Sequence, residues 1–134
     1  MKPLSWVALV TLLALATYFW MSLNVGRARH RSGVAAPAVT GDEGLERWFR
    51  AHYNTLEWLP IFLGSMWLCA IYLNQIAAAV LGLVWIAGRI LYARAYVADP
   101  ATRGTGFLVQ AVATALLFLG ALAGIVWRLA VAGA

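Results

Sequence analysis

Apolar residues follow one another along the chain in four long blocks that short polar segments separate. The blocks extend roughly over residues 4–28, 43–73, 75–97 and 105–132. A helix needs about 17 to 25 such residues to cross a bilayer, and each block is that long or a little longer. The pattern predicts an all-α fold: a single domain over residues 1–134, built as an integral membrane four-helix bundle with left-handed, up-and-down packing.

Polar and small residues mark where these helices begin, end and approach each other. Thr40, with Glu43 three residues on, matches a capping box and predicts the start of the second helix. The connection around Asn74 is very short, which predicts a tight antiparallel hairpin of the second and third helices. Two pairs of small residues spaced for close helix packing are Ala78 with Gly82 and Gly120 with Gly124.

The first block also has features of a signal peptide. Lys2 precedes an apolar run, and Ala14 and Ala16 have the small side chains of a cleavage site. The apolar run continues past this point through Tyr18 and Trp20, which suits the aromatic belt of a retained spanning helix. We therefore interpret the block as a membrane helix.

Composition and charge agree with this interpretation and give it an orientation. The chain is 63% hydrophobic and only 11% charged, with a net charge of +5. A four-helix path places both termini and Asn74 on one side, where only Lys2 and Arg128 are basic. The other side receives Arg27, Arg29, Arg31, Arg47, Arg50, Arg94 and Arg103, with Arg89 a little further inside. By the positive-inside rule that second side faces the cytoplasm and both termini lie on the non-cytoplasmic side. A nucleic-acid partner would require a basic, water-exposed face, and the sequence predicts none.

The second helix carries a cation, an amide and a carboxylate on one face. Arg50, Asn54 and Glu57 stand at positions i, i+4 and i+7, and such groups inside a membrane helix are candidates for function. The third helix places Tyr92 and Tyr96 on the same side as Arg89. Together these groups suit a small zwitterionic ligand with several carboxylates and an amine.

Glu57 and Arg89 are predicted to lie at equal depth. Glu57 is eight residues beyond Phe49 and Arg89 is eight residues before Val97, which places each about 12 Å inside the membrane. A membrane-embedded charge costs roughly 2.5 to 3.5 kcal/mol, and an opposite charge offsets it. We expect a structural ion pair between them, and the pattern leaves open whether Glu57 is mainly structural or also functional.

Several segments resemble the MAPEG family, the membrane-associated proteins in eicosanoid and glutathione metabolism. The resemblance rests on LERWFRAHYNTLEWLP at residues 45–60, on AAAVLGLVWIAGRILYARAY at residues 77–96, and on the Pro100 and Arg103 that follow. It extends to the end of the first helix at residues 24–29 and so covers nearly the whole chain.

The resemblance implies a homotrimer in membrane lipid that uses glutathione as co-substrate, with no metal. Glutathione would lie near the cytoplasmic side between neighbouring subunits, and its thiolate would attack a lipophilic electrophile in conjugation or in a peroxidase reaction. At the catalytic position is Arg103, whose guanidinium would favour the thiolate. The positions that would bind glutathione are Arg29, Arg50, Asn54, Glu57, Trp58, Tyr92 and Tyr96. Trp58 departs from the tyrosine that many relatives carry there.

Other functions stay open at this point. A non-catalytic lipid-binding or scaffold protein of the same fold is the main alternative. A proton-coupled exporter is disfavoured, because arginines surround Glu57 and would repel a cationic substrate. His30 and His52 have no partner at metal-ligand spacing, so we interpret both as solvated or interface histidines. We expect Trp85, Phe107 and Phe118 to face lipid, as generic apolar side chains that would shape the acceptor site.

Overall fold

The computed structural model describes residues 4–132, which form four long α-helices. These are α1 (Ser5–Ser32), α2 (Glu43–Tyr72), α3 (Gln75–Ala98) and α4 (Gly104–Ala132), with a short 3-10 turn at Pro100–Thr102 before α4. All four helices are long and apolar enough to cross a membrane. The chain is an all-α integral membrane protein of the multi-pass type, which confirms that part of the prediction.

The core lies between all four helices. Both α1 and α4 pack against α2 and α3, and Val10, Phe62, Trp85 and Leu117 bring one buried apolar side chain from each helix into a common cluster. The rings of Phe62 and Trp85 stack with their centroids 4.0 Å apart. Trp85 is fully buried, so the expectation that it faces lipid is wrong. Its large ring fills the space between α2 and α3.

The first helix is longer than the sequence pattern predicts. It continues to Ser32 instead of ending near residue 28, and Gly33 terminates it with a left-handed φ of 70° and an N–H that donates to Arg29 O at 3.1 Å. Glycine adopts this conformation without a Cβ clash. Three basic residues in the last turn, Arg29, His30 and Arg31, stabilise the negative end of the helix dipole.

The start of α2 differs from the predicted capping box. Asp42, not Thr40, is the N-cap, and its carboxylate accepts a hydrogen bond from Leu45 N at 2.8 Å. Glu46, not Glu43, accepts from the N–H of Gly41 at 2.8 Å. A carboxylate at the N-cap also interacts favourably with the positive end of the helix dipole, which a threonine hydroxyl cannot match.

The connection between α2 and α3 is as short as the sequence indicates. Only Leu73 and Asn74 separate the two helices. The side chain of Asn74 accepts hydrogen bonds from Ile76 N at 2.8 Å and Ala77 N at 3.0 Å, so it caps α3 directly after α2 ends. At this end Arg128 donates to Ile71 O at 3.2 Å. Lys2, the other basic residue assigned to this side, lies outside the described residues.

Glycines set the closest approach of the helices. A methyl group added at Gly82 would lie 2.6 Å from Val10 Cγ1, and one at Gly124 would lie 2.5 Å from Tyr72 O, so both predicted small residues do pack closely. An unpredicted contact is tighter still, because a methyl group at Gly106 would overlap the backbone of Tyr92. This contact holds α4 against the part of α3 that carries the polar residues.

Candidate functional site

The polar face of α2 is continuous over two turns. Arg50 and Glu57 are exposed and Asn54 is half-buried between them. The Asn54 side-chain amide donates to Glu57 Oε2 at 2.9 Å. In a single subunit this face therefore presents a guanidinium and a carboxylate to the exterior, although Glu57 belongs to a membrane-spanning helix.

Arg89 supports this face from inside the bundle. Its side chain is fully buried, and Nη1 donates to Asn54 Oδ1 at 3.0 Å. Within residues 4–132 there is no ion pair between Arg89 and Glu57, so the predicted direct pair is wrong. Asn54 lies one helical turn from Glu57, between the two charges. Its amide oxygen accepts from Arg89 and its amide nitrogen donates to Glu57.

The chemistry of these groups fixes the orientation of the Asn54 amide. A guanidinium has only donors and an ionised carboxylate has only acceptors. The oxygen of Asn54 must therefore face Arg89 and its nitrogen must face Glu57, as observed. A flipped amide would lose both hydrogen bonds, so Arg89, Asn54 and Glu57 form a polar triad with one favourable arrangement.

Aromatic rings surround the buried guanidinium. Its carbon lies 5.8 Å from the ring centroid of Trp58, 5.5 Å from that of Trp85 and 5.1 Å from that of Tyr92. Within the described part of the chain, Arg89 Nε and Nη2 have no hydrogen-bond partner. Cation–π contacts of this kind stabilise a desolvated cation by roughly 2 kcal/mol each at best, so the rings partly replace the ion pair.

A second group of predicted site residues lies at the end of α3 and the connection to α4. The rings of Tyr92 and Tyr96 stack with centroids 5.7 Å apart. The exposed Arg103, directly before α4, places its guanidinium carbon 5.3 Å from the Tyr96 ring centroid. Arg103 is thus brought to the same end of the bundle as both tyrosines.

A cavity of about 360 Å³ lies between Tyr96 and the start of α2, and neither Tyr92 nor Arg103 lines it. Arg50 and Tyr96 both line it, together with Arg47, Glu46 and Thr40. Its volume is within the roughly 300 to 1,000 Å³ typical of small-molecule sites. The fold therefore joins Arg50 and Tyr96, which are far apart in sequence, at one opening.

Residues 7–123 match the model of the MAPEG family. The chain belongs to this family. It is 43% identical over 117 residues to microsomal glutathione S-transferase 2 of Homo sapiens, covering 87% of this chain and 80% of that protein. It is 34% identical over 119 residues to leukotriene C4 synthase of Mus musculus, covering 89% and 79%. An uncharacterised protein of Synechocystis sp. is 48% identical over 126 residues, covering 94% and 92%.

Arg29 makes its hydrogen bonds to the connection between α1 and α2 and, within residues 4–132, to none of the other predicted site residues. Its guanidinium donates to Val34 O at 3.2 Å and to Ala38 O at 2.6 Å, and both acceptors belong to the connection between α1 and α2. Within one subunit Arg29 therefore holds this connection in place.

Trp58 is directed to the bundle rather than to the cavity. The half-buried Trp58 ring has the Arg89 guanidinium over its face. It packs edge-to-face against the ring of Phe107, with the two centroids 5.5 Å apart. The ring of Phe107 in turn packs near the ring of Tyr92, with the two centroids 6.3 Å apart. The side chain that replaces the expected tyrosine is thus part of the aromatic shell around the guanidinium, and Phe107 is more than a lipid-facing residue.

Arg47 joins the start of α2 to the end of α3, a contact that sequence reasoning missed. Its Nη1 donates to Val97 O and Ala98 O, both at 3.2 Å, and Nη2 pairs with Glu43 Oε2 at 2.9 Å. A cation at these last carbonyls of α3 satisfies groups that the helix leaves free. The contact fixes the start of α2 against the end of α3, and so fixes Arg50 relative to Tyr96. The i, i+4 spacing of Glu43 and Arg47 was the available signal.

Proposed function

We propose that this MAPEG protein is a membrane-bound glutathione transferase that activates the thiolate of glutathione for attack on a lipophilic electrophile. The exposed carboxylate of Glu57 carries the proposal. It lies in a membrane-spanning helix, and its hydrogen bond to Asn54 leaves oxygen lone pairs free. An ionised side chain left to lipid would cost roughly 2.5 to 3.5 kcal/mol. A ligand ammonium group and a second subunit would together cover it.

Glutathione has the groups that this face can bind. Its ammonium group is the natural partner of Glu57, and a carboxylate is the natural partner of the exposed Arg50 guanidinium. The rings of Tyr92 and Tyr96 stack between the guanidinium groups of Arg89 and Arg103, and we propose that the tyrosine hydroxyls donate further hydrogen bonds to glutathione. In the proposed homotrimer, Arg29 would reach the site from a neighbouring subunit and supply a further cation.

Arg103 is the proposed catalytic residue. The thiol of glutathione is a weak nucleophile when protonated, and a guanidinium within about 4 to 6 Å favours the thiolate. The thiolate sulfur would form a bond to the electrophilic carbon of the acceptor while the leaving group departs with its electron pair. With a hydroperoxide acceptor the same thiolate would attack the terminal oxygen, the O–O bond would break, and the alkoxide would leave and take up a proton. A second glutathione would then convert the glutathione sulfenic acid to the disulfide and water.

The relatives support this reaction class. Microsomal glutathione S-transferase 2 and leukotriene C4 synthase are similar over most of the chain. The alternative, a lipid-binding or scaffold protein without catalysis, does not require Arg50, Asn54 and Glu57 to be retained together. It predicts that glutathione does not bind.

Glutathione titration of the detergent-purified protein, followed by calorimetry, separates the two functions. We expect the wild-type protein to bind glutathione and Arg50→Ala to bind about ten-fold or more weakly, since a hydrogen bond to a charged group contributes about 1.5 to 3 kcal/mol. Arg31→Ala is a matched control, because Arg31 is also an exposed arginine but does not line the cavity at Arg50 and Tyr96. Wild-type protein that does not bind glutathione would overturn the proposal and favour the lipid-binding alternative.

A further inference from the structure

We infer that a groove between α1 and α3 binds an anionic phospholipid. The groove has a volume of about 440 Å³, with Trp20 and Ala16 among its lining residues on α1 and a stripe from Leu83 to Arg94 on α3. It shares no lining residue with the cavity at Arg50 and Tyr96. The inference does not depend on the proposed glutathione chemistry.

The shape of the groove suits an acyl chain. On α3 it is lined by residues 83, 86, 90 and 94, whose spacing of three and four places them on one face of the helix. The eleven-residue separation of Leu83 and Arg94 corresponds to roughly 16 Å along the helix axis. Leucine and isoleucine side chains line this length, and the hydroxyl of Thr17 is already bonded to Leu13 O at 2.9 Å.

One end of the groove is cationic and unneutralised. Arg94 is exposed and, within residues 4–132, makes no hydrogen bond or ion pair. Neither α1 nor α3 contains an aspartate or a glutamate, so no carboxylate from either wall can pair with it. Arg94 lies four residues before the end of α3, about 6 Å from it, which is within reach of lipid headgroups for a long side chain.

These features together identify the occupant as a lipid with an anionic headgroup. A guanidinium binds phosphate through two parallel hydrogen bonds, and basic pockets between membrane helices commonly hold anionic headgroups. The apolar length of the groove runs along the membrane depth, as an acyl chain does.

Quenching of Trp20 by brominated lipid tests the inference. The chain has seven tryptophans, so the Trp20 signal is the difference between each protein and its Trp20→Phe counterpart. We would reconstitute the proteins in phosphatidylcholine vesicles with increasing brominated phosphatidylglycerol, or brominated phosphatidylcholine as the neutral arm. Brominated phosphatidylglycerol should quench Trp20 at a lower mole fraction than brominated phosphatidylcholine does. In Arg94→Gln the mole fraction of phosphatidylglycerol needed for the same quenching should rise about five-fold, as expected for loss of one basic contact.

Two further variants make the test specific. Arg31→Gln removes an exposed arginine from the same end of the molecule but outside this groove, and it should leave Trp20 quenching unchanged. Ala16→Phe narrows the groove, keeps Arg94, and should reduce quenching by both lipids. Circular dichroism shows whether each variant is folded.

Three results would overturn the inference. The first is equal quenching by the anionic and neutral lipids, which would mean that the groove does not select a headgroup. The second is unchanged quenching in a folded Arg94→Gln variant. The third is a Trp20 that neither lipid quenches, as expected if another subunit covers the groove.

Discussion

The buried guanidinium of Arg89 determines how α2 presents its polar side chains. It holds Asn54 Oδ1 at 3.0 Å, and this leaves the amide nitrogen for Glu57 at 2.9 Å. A charge that is removed from water needs partners on most sides, and the surrounding rings of Trp58, Trp85 and Tyr92 supply them. The exposed carboxylate of Glu57 is thus ordered through Asn54 by the buried Arg89.

We expect Arg89→Met to weaken glutathione binding about ten-fold, because the Asn54 amide can then turn and Glu57 loses its ordered donor. Arg89→Lys should retain part of the affinity, since an ammonium can still donate to Asn54 Oδ1. Calorimetric titration of Arg89→Met, Asn54→Ala and the double variant measures the coupling. Residues that act through one another give non-additive effects, so strictly additive losses would contradict this role for Arg89.

Arg103→Ala should lower conjugation of an aryl halide by about ten-fold or more while glutathione binding largely survives. A neighbouring cation lowers a thiol pKa by about 1 to 3 units, and its removal leaves less thiolate at neutral pH. Turnover with purified protein gives the rate, and the ultraviolet absorbance of bound thiolate gives the ionised fraction. Unchanged turnover in this variant would exclude Arg103 as the activator.

Two elements, α3 and α4, approach so closely that only glycine fits between them. A methyl group at Gly106 would overlap the backbone of Tyr92, and one at Gly88 would lie 2.8 Å from Gln110 N. Backbone atoms cannot rotate aside as a side chain can. This contact sets the position of Tyr92, and through Phe107 it also supports Trp58.

Gly106→Ala is expected to destabilise the folded protein by about 1 to 3 kcal/mol, the usual effect of overpacking. Gly104→Ala is the matched control two residues earlier, where an added methyl group meets nothing within 4 Å. Alanine is the better helix former by about 1 kcal/mol, so this control should be neutral or stabilising. Thermal unfolding in one detergent compares the two variants, and equal unfolding temperatures would refute the close contact.

At the scale of the whole molecule, charge is divided unequally between the two ends of the bundle. Arg47 and Arg103 lie at the end that also contains the candidate site, whereas Arg128 lies at the α2–α3 hairpin. The positive-inside rule relates such a division to orientation in the membrane. From this rule we predict that the proposed glutathione site lies at the cytoplasmic side.

This orientation can be measured with single cysteines in a Cys69→Ala background. Ala101 and Leu73 are both exposed and lie in the connections at opposite ends of the bundle. In intact cells, a membrane-impermeant maleimide should label Leu73→Cys and leave Ala101→Cys unlabelled until the membrane is opened. The reverse pattern would place the site on the other side of the membrane.

The sequence alone determined the class of the protein and most residues of its candidate site. Hydrophobic blocks of membrane length have few other stable arrangements than spanning helices. The spacing of Arg50, Asn54 and Glu57 then placed three polar groups on one helical face, because that face follows from the helical repeat. Their number and type carried the resemblance to the MAPEG family.

Only the tertiary structure decided which of these groups contact each other. The sequence gives the depth of a residue along each helix, but not the rotation or the separation of the two helices. It therefore predicts a direct pair of Glu57 and Arg89, whereas Asn54 lies between them in the structure. Helix-to-helix distance depends on backbone contact at particular residues such as Gly106. The hydrophobic periodicity of a segment determines whether that segment forms a helix, so each helix could be predicted separately. The polar triad could not be predicted, because it depends on how all four helices pack together.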